Sequence, residues 1–143
     1  MARHETTVTV ALPPTRLIHD LADPASMAAL DPGVRSAVAT SEGTLRAGFT
    51  SDAVHAFYGR DIRVSHEIVV ISDHELVRRG TGNRITMVER YDARPIPSGT
   101  EIMLSVEVTL SGLLRPLERG LVAVLEHRLD QLARAITRLP AAH

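Results

Sequence analysis

The sequence predicts an α+β fold: a seven-stranded curved antiparallel sheet, two short helices after the first strand, and a long C-terminal helix over the concave face. Three observations carry this. Ile102, Leu104, Val106, Val108 and Leu110 alternate strictly with Met103, Ser105, Glu107 and Thr109, the period-two pattern of a sheet wet on one side. Leu114, Leu117, Leu121, Leu125, Leu129, Leu132, Ile136 and Leu139 then recur every three or four residues and draw one apolar stripe along a helix. A helix of roughly 25 residues spans about 40 Å, and only a large sheet covers such a stripe. Finally, six strand-like segments follow one another at short spacing, and parallel neighbours would need crossovers of about a dozen residues or more.

The elements follow in order. Thr6 to Leu12 reads as the first strand, with Val8, Val10 and Leu12 on one face, and Pro13-Pro14 ends it at the first turn of a helix. Thr15 to Leu21 gives that helix. Asp23 is placed to cap a second short helix, with Pro24 at its first position, running through Met27 to Leu30. Asp31-Pro32-Gly33 turns into a strand at Val34 to Ser41, and Glu42-Gly43 turns again. Two longer strands lie between Leu45 and Ile71 around Tyr58-Gly59-Arg60-Asp61. Phe49, Ser51, Ala53, His55 and Phe57 share a face of the first; Ile62, Val64, His66, Ile68 and Val70 share a face of the second. Glu75 to Arg79 is a weak strand, Gly80-Thr81-Gly82-Asn83 a turn, and Arg84 to Ala93 the next strand. Pro95 to Gly99 forms the last hairpin before Thr100 to Leu110. A strongly twisted sheet of this size bends, and the terminal helix is the element long enough to cover its hollow.

Totals set further bounds. At 143 residues the chain reads as one domain over residues 1–143, with no repeat or linker at which to divide it. The net charge of −1, with acids and arginines intermixed, gives no basic stripe and argues against nucleic acid as a partner. All 16 basic residues are arginine, which reads as coding bias of a GC-rich bacterium. Without cysteine, thiolate nucleophiles and disulfides are excluded. The opening residues lack the apolar run of a signal peptide and no uncharged segment reaches membrane-spanning length, so a cytoplasmic protein is expected. Aromatic content of 3% means that any pocket is walled chiefly by aliphatic side chains. Oligomeric state leaves no mark on the sequence.

The order of elements, together with local stretches, resembles the START-like (SRPBCC) superfamily, in its polyketide cyclase/dehydrase subgroup. The stretches are Val8-Thr-Val-Ala-Leu-Pro-Pro14, Leu21-Ala-Asp-Pro-Ala-Ser-Met27, the Leu30-Asp-Pro-Gly-Val34 turn, Arg90-Tyr-Asp-Ala-Arg-Pro95, Ser98-Gly-Thr100 and Leu110-Ser-Gly-Leu-Leu114. Such proteins often carry a tryptophan where this chain has Leu30. The resemblance implies the helix-grip fold and a cavity between sheet and helix for a hydrophobic ligand. It supplies no catalytic motif, since the scaffold hosts carriers, receptors and cyclases alike.

Several residues are placed to do chemistry. His55 and His66 fall on apolar faces of neighbouring strands, so they are candidates for general base or ligand-orienting roles, or else each sits at a cavity edge or hydrogen-bonds a backbone group. Glu89 shares a face with Met87 and Tyr91. On a concave face it is an acid raised by desolvation; otherwise it pairs with an arginine such as Arg84 or Arg90, or stands in water. Two histidines without a third ligand make no metal site. Arg78, Arg79 and Arg84 read as a solvated rim, and Arg119, Glu126, Arg128, Asp130 and Arg134 as the outer face of the helix. The expected lining is Phe49, His55, Phe57, Val64, His66, Met87, Tyr91, Leu104, Val106, Leu121 and Leu125. The leading functional expectation is a binder of lipid, polyketide or polycyclic molecules without a cofactor. The alternatives are a polyketide cyclase/dehydrase using His66, His55 or Glu89 as acid–base groups, and an interaction module whose cavity is filled.

Overall fold

The computed structural model describes residues 1–139. Seven strands form one antiparallel sheet in the order β1-β7-β6-β5-β4-β3-β2. They are β1 (Ala2–Val10), β2 (Val34–Ala39), β3 (Thr50–Phe57), β4 (Arg60–Ile71), β5 (Glu75–Gly82), β6 (Ile85–Ile96) and β7 (Gly99–Leu110). Strands β2 to β7 are a meander in which each pairs with the next, and β1 closes the far edge against β7. Helices α1 (Pro14–Ala22) and α2 (Pro24–Leu30) join β1 to β2. Asp23 caps α2, its Oδ1 accepting from the Ala25 N–H at 3.1 Å, with Pro24 at the first turn as predicted.

The last helix, α3 (Glu118–Thr137), lies over the concave face against β1 and β7. Its Leu121, Leu125, Leu129, Leu132 and Ile136 are buried, each contributing about 1.5–3 kcal/mol relative to exposure. They meet Ile85, Met87, Leu104, Val106, Val108 and Leu110 of the sheet in one core. This is the α+β helix-grip arrangement. None of the described helices is long and apolar enough to cross a membrane.

Five local departures have physical causes. β1 begins at Ala2, four residues before the predicted start, because the inward positions His4 and Thr6 are polar and hide the alternation. β5 runs on through Gly80-Thr81-Gly82, and the turn falls at Asn83-Arg84. Gly80 serves packing there: a Cβ would come within 2.7 Å of Met87 and Val64 and 2.9 Å of His66. A bulge between Ile68 and Val70 turns Val70, inward by alternation, out to solvent and lets Ile71 pack on the core. The segment Gly112–Leu117 is a separate 3₁₀ turn containing Pro116, so the α-helix is shorter than the stripe predicts, and Leu117 is 44% exposed. Finally, the β3–β4 hairpin closes on two residues, Tyr58 and Gly59, both at positive φ (52° and 74°).

Candidate functional site

Alternation on β3, β4, β5 and β6 delivers five polar side chains, His55, His66, Arg78, Glu89 and Tyr91, into the hollow under α3. Arg78 and Glu89 stand directly opposite one another in the β5–β6 register. The predicted rim position is wrong for Arg78: it is 3% exposed, the inward residue between Leu76 and Gly80. Its Nε and Nη2 donate to Glu89 Oε1 and Oε2 at 3.1 and 3.2 Å, and Nη1 donates to the Leu21 carbonyl at the end of α1 at 3.0 Å. Tyr91, two residues along the same face, donates to Glu89 Oε2 at 2.6 Å. Glu89 therefore pairs with an arginine, but with Arg78 and not with Arg84 or Arg90. Burial alone would raise its pKa. The Arg78 charge, helped by His66 and by hydrogen bonds from Arg78 and Tyr91, overrides burial and holds the carboxyl well below the usual range. Burial, then the Glu89 charge, pushes the Tyr91 phenol well up.

Arg128 is the second correction. It projects inward between Leu125 and Leu132, with its guanidinium 4.9 Å from the Phe57 ring centroid. Its Nη2 lies 3.1 Å from Asp31 Oδ2 and 3.2 Å from His55 Nδ1. Asp31 in turn accepts from the Gly33 N–H at 2.8 Å, which fixes the turn after α2. His55 and His66 share a hydrogen bond, Nε2 to Nε2, of 2.8 Å.

The donors decide both tautomers. An arginine only donates, so His55 Nδ1 accepts and its proton sits on Nε2. That proton points to His66 Nε2, which leaves the His66 proton on Nδ1, 3.7 Å from Glu89 Oε1 and too far for a hydrogen bond. Both rings are neutral. Burial first, then the Arg128 charge, lowers the His55 pKa to about 3. Burial lowers that of His66 to about 4, with Arg78 and Arg128 acting with it and Glu89 against it. The interior thus holds two ion pairs, Arg78–Glu89 and Arg128–Asp31, with two neutral imidazoles between them that are hydrogen-bonded to Arg128 but not to Glu89. Among the described residues no cluster of three His, Asp or Glu side chains is grouped to hold a metal ion.

Space within the grip is unevenly distributed. Beside Glu89, Arg128 and Leu125 it amounts to about 10 Å³, and a similar void lies beside Arg78 and Leu30. At the start of α3 it widens to about 380 Å³. Phe57, Ile62, Ile85 and Leu110 form the sheet side of this pocket, and Leu114, Leu117 and Leu121 the helical side. Tyr58 and Arg60 of the hairpin complete it, and the Tyr58 hydroxyl donates to the Leu117 carbonyl at 2.9 Å. A further space of about 840 Å³ is a groove outside the grip, between the α1–α2 corner and β2.

The predicted lining residues divide among these spaces. Phe57 and Leu121 line the apolar pocket, and Phe49 the outer groove. Met87, Tyr91, Val106 and Leu125 border the small void by Glu89. His55, Val64, His66 and Leu104 are buried in the packed interior and border none of these spaces. Sequence reasoning missed Arg78, Arg128 and Asp31 in the polar cluster, and Ile62, Ile85, Leu110 and Leu114 in the pocket. A signal existed for Arg128, which falls three residues after Leu125 and four before Leu132 on the stripe. Its charge argued for the opposite face.

A family model described as polyketide cyclase / dehydrase and lipid transport matches residues 1–137. Among solved structures, the chain is similar to the Zhui aromatase/cyclase of a Streptomyces species, with TM-score 0.78, 18% identity, and 94% of this chain and 90% of that chain covered. It is equally similar to a START superfamily protein of Mycobacterium smegmatis (TM-score 0.78, 12% identity, coverage 96% and 95%). The di-domain aromatase/cyclase StfQ of the steffimycin biosynthetic pathway aligns at TM-score 0.75 and 13% identity over 95% of this chain and 49% of that one. At such identities the likeness is one of fold. No curated protein matches by sequence.

Proposed function

The chain belongs to the polyketide cyclase/dehydrase and lipid transport family, and from that premise we propose that it carries a hydrophobic small molecule, of lipid, polyketide or polycyclic type, without a prosthetic group. The observation behind this reading is the pocket of about 380 Å³, whose lining is apolar or aromatic at every position but Arg60. Its volume falls in the range of about 300–1,000 Å³ typical of ligand sites. Phe57 and Leu121 from the sequence reading, with Ile62, Ile85, Leu110 and Leu114, form the contact surface in this proposal.

The cyclase alternative draws on Glu89, His66, His55 and Tyr91, which stand in one buried cluster. Each except His66 Nδ1 is already engaged by a protein partner, and the space beside them is no larger than one water molecule. A ketide could not reach them without the interior opening, so carriage is the better reading. A filled interaction module suits the middle of the grip but not its α3 entrance.

The test is titration of purified protein with the neutral fluorophore N-phenyl-naphthylamine, alongside native mass spectrometry of protein taken directly from cells. One saturable site and a co-purifying apolar adduct are expected. No saturable binding and no adduct would overturn the proposal.

A further inference from the structure

We infer that the occupant of the pocket at the start of α3 is a single-chain amphiphile with an anionic head, its tail between sheet and helix and its head at Arg60. The inference rests on the carrier reading and specifies its ligand. Arg60 opens β4 opposite Phe57 and is the one charged residue in the pocket lining. The other polar group there, the Tyr58 hydroxyl, is committed to the Leu117 carbonyl. A tail filling the apolar walls therefore leaves its polar end at the mouth, beside the guanidinium.

Two further arginines lie next to lining residues in the sequence. Arg84 stands in the β5–β6 turn next to the lining residue Ile85, its Cδ and Nε packed against Gly112. Arg115 sits between the lining residues Leu114 and Leu117. Among the described residues no carboxylate is within ion-pair distance of Arg60, Arg84 or Arg115. The neighbouring acids are engaged elsewhere, Asp61 with Arg35 and Glu118 with the amino group of Met1. The exposed, unpaired Arg60 guanidinium at the edge of an apolar pocket attracts an anion and repels a cation. A carboxylate is the simplest head that a planar fork of donors recognises.

Decanoate and nonyltrimethylammonium present the same nine-carbon tail with opposite heads, and their competition against bound N-phenyl-naphthylamine at sub-micellar concentration tests the inference. Decanoate should displace the probe at about fivefold lower concentration, the effect of one favourable exposed ion pair. Arg60→Gln should bring the ratio close to one, as should raised salt. Arg63→Gln, on the opposite face of β4, should leave it unchanged. The inference is overturned if the cation competes as well as the anion, or if Arg60→Gln preserves the ratio. It is also overturned if only anionic vesicles, and not monomeric decanoate, show the preference, because the arginines would then serve a membrane surface. Failure of the neutral probe to bind at all removes the pocket reading together with this one.

Discussion

His55 and His66 meet Nε2 to Nε2 at 2.8 Å in the packed interior, and a charge on either ring would face two arginines there. Their pKa values of about 3 and about 4 lie below the 6.5 of an ordinary imidazole. In that window the unfolded chain binds protons that the folded chain refuses, so stability falls as pH falls. Urea midpoints should hold above pH 6.5, then decline toward pH 4. His66→Gln, which keeps one donor and one acceptor, should flatten the slope by about one proton. An unchanged slope in that variant would show the imidazoles to be solvated.

Glu89 is the hub of the buried pair. Glu89→Gln should cost about 3–5 kcal/mol in urea unfolding, since Arg78 is left charged and unpaired. Tyr91→Phe should cost about 1–2 kcal/mol, the loss of one hydrogen bond to a charged acceptor. Replacing Arg78 and Glu89 together by methionine should recover most of the single-variant loss. Additive losses would mean that the two side chains act independently.

Gly33 lies where a Cβ would collide with the Arg128 guanidinium. Gly33→Ala should push Arg128 off Asp31 and His55, costing about 1–3 kcal/mol. Arg128→Gln should cost a similar amount, and the double variant little more than either one. The cross-check is the coupling energy from the unfolding cycle.

Ile62→Trp adds an indole to the pocket wall at a half-buried position, while the interior around Glu89 is untouched. Affinity for N-phenyl-naphthylamine should drop at least tenfold, with the urea midpoint nearly unchanged. Retained affinity would place the probe elsewhere, for instance in the groove by Phe49.

Much of the architecture was legible because it is written in periodicity. The period-two runs located the strands, the stripe from Leu121 to Ile136 located α3, and Asp23-Pro24 located α2 to the residue. His55, His66, Glu89 and Tyr91 fell on the inward faces that alternation assigned to them. What escaped reading was cross-strand pairing. Nothing local in the sequence tells that Arg78 will stand opposite Glu89, so a charged doublet beside Gly80 looked like surface. Gly80 and Gly82 looked like a turn because a glycine chosen to admit Met87, Val64 and His66 is indistinguishable in sequence from one chosen for its φ. The pocket escaped because it forms where the stripe breaks: Pro116 interrupts the helix, and the gap between Leu114 and Leu121 stays open.

Ala2 of β1 pairs with Val108 of β7, about three quarters of the chain away, although only two short helices separate β1 from β2. The opening segment thus waits for the last hairpin before it finds its neighbour, while the meander from β2 to β7 zips up through adjacent pairs. Loop closure over such a distance slows folding, and β1 should dock late. On the ribosome, Val8 and Val10 stay unpaired until their partners Ile102 and Thr100 have emerged, which is the interval in which a nascent chain of this topology is most open to chaperones and to aggregation.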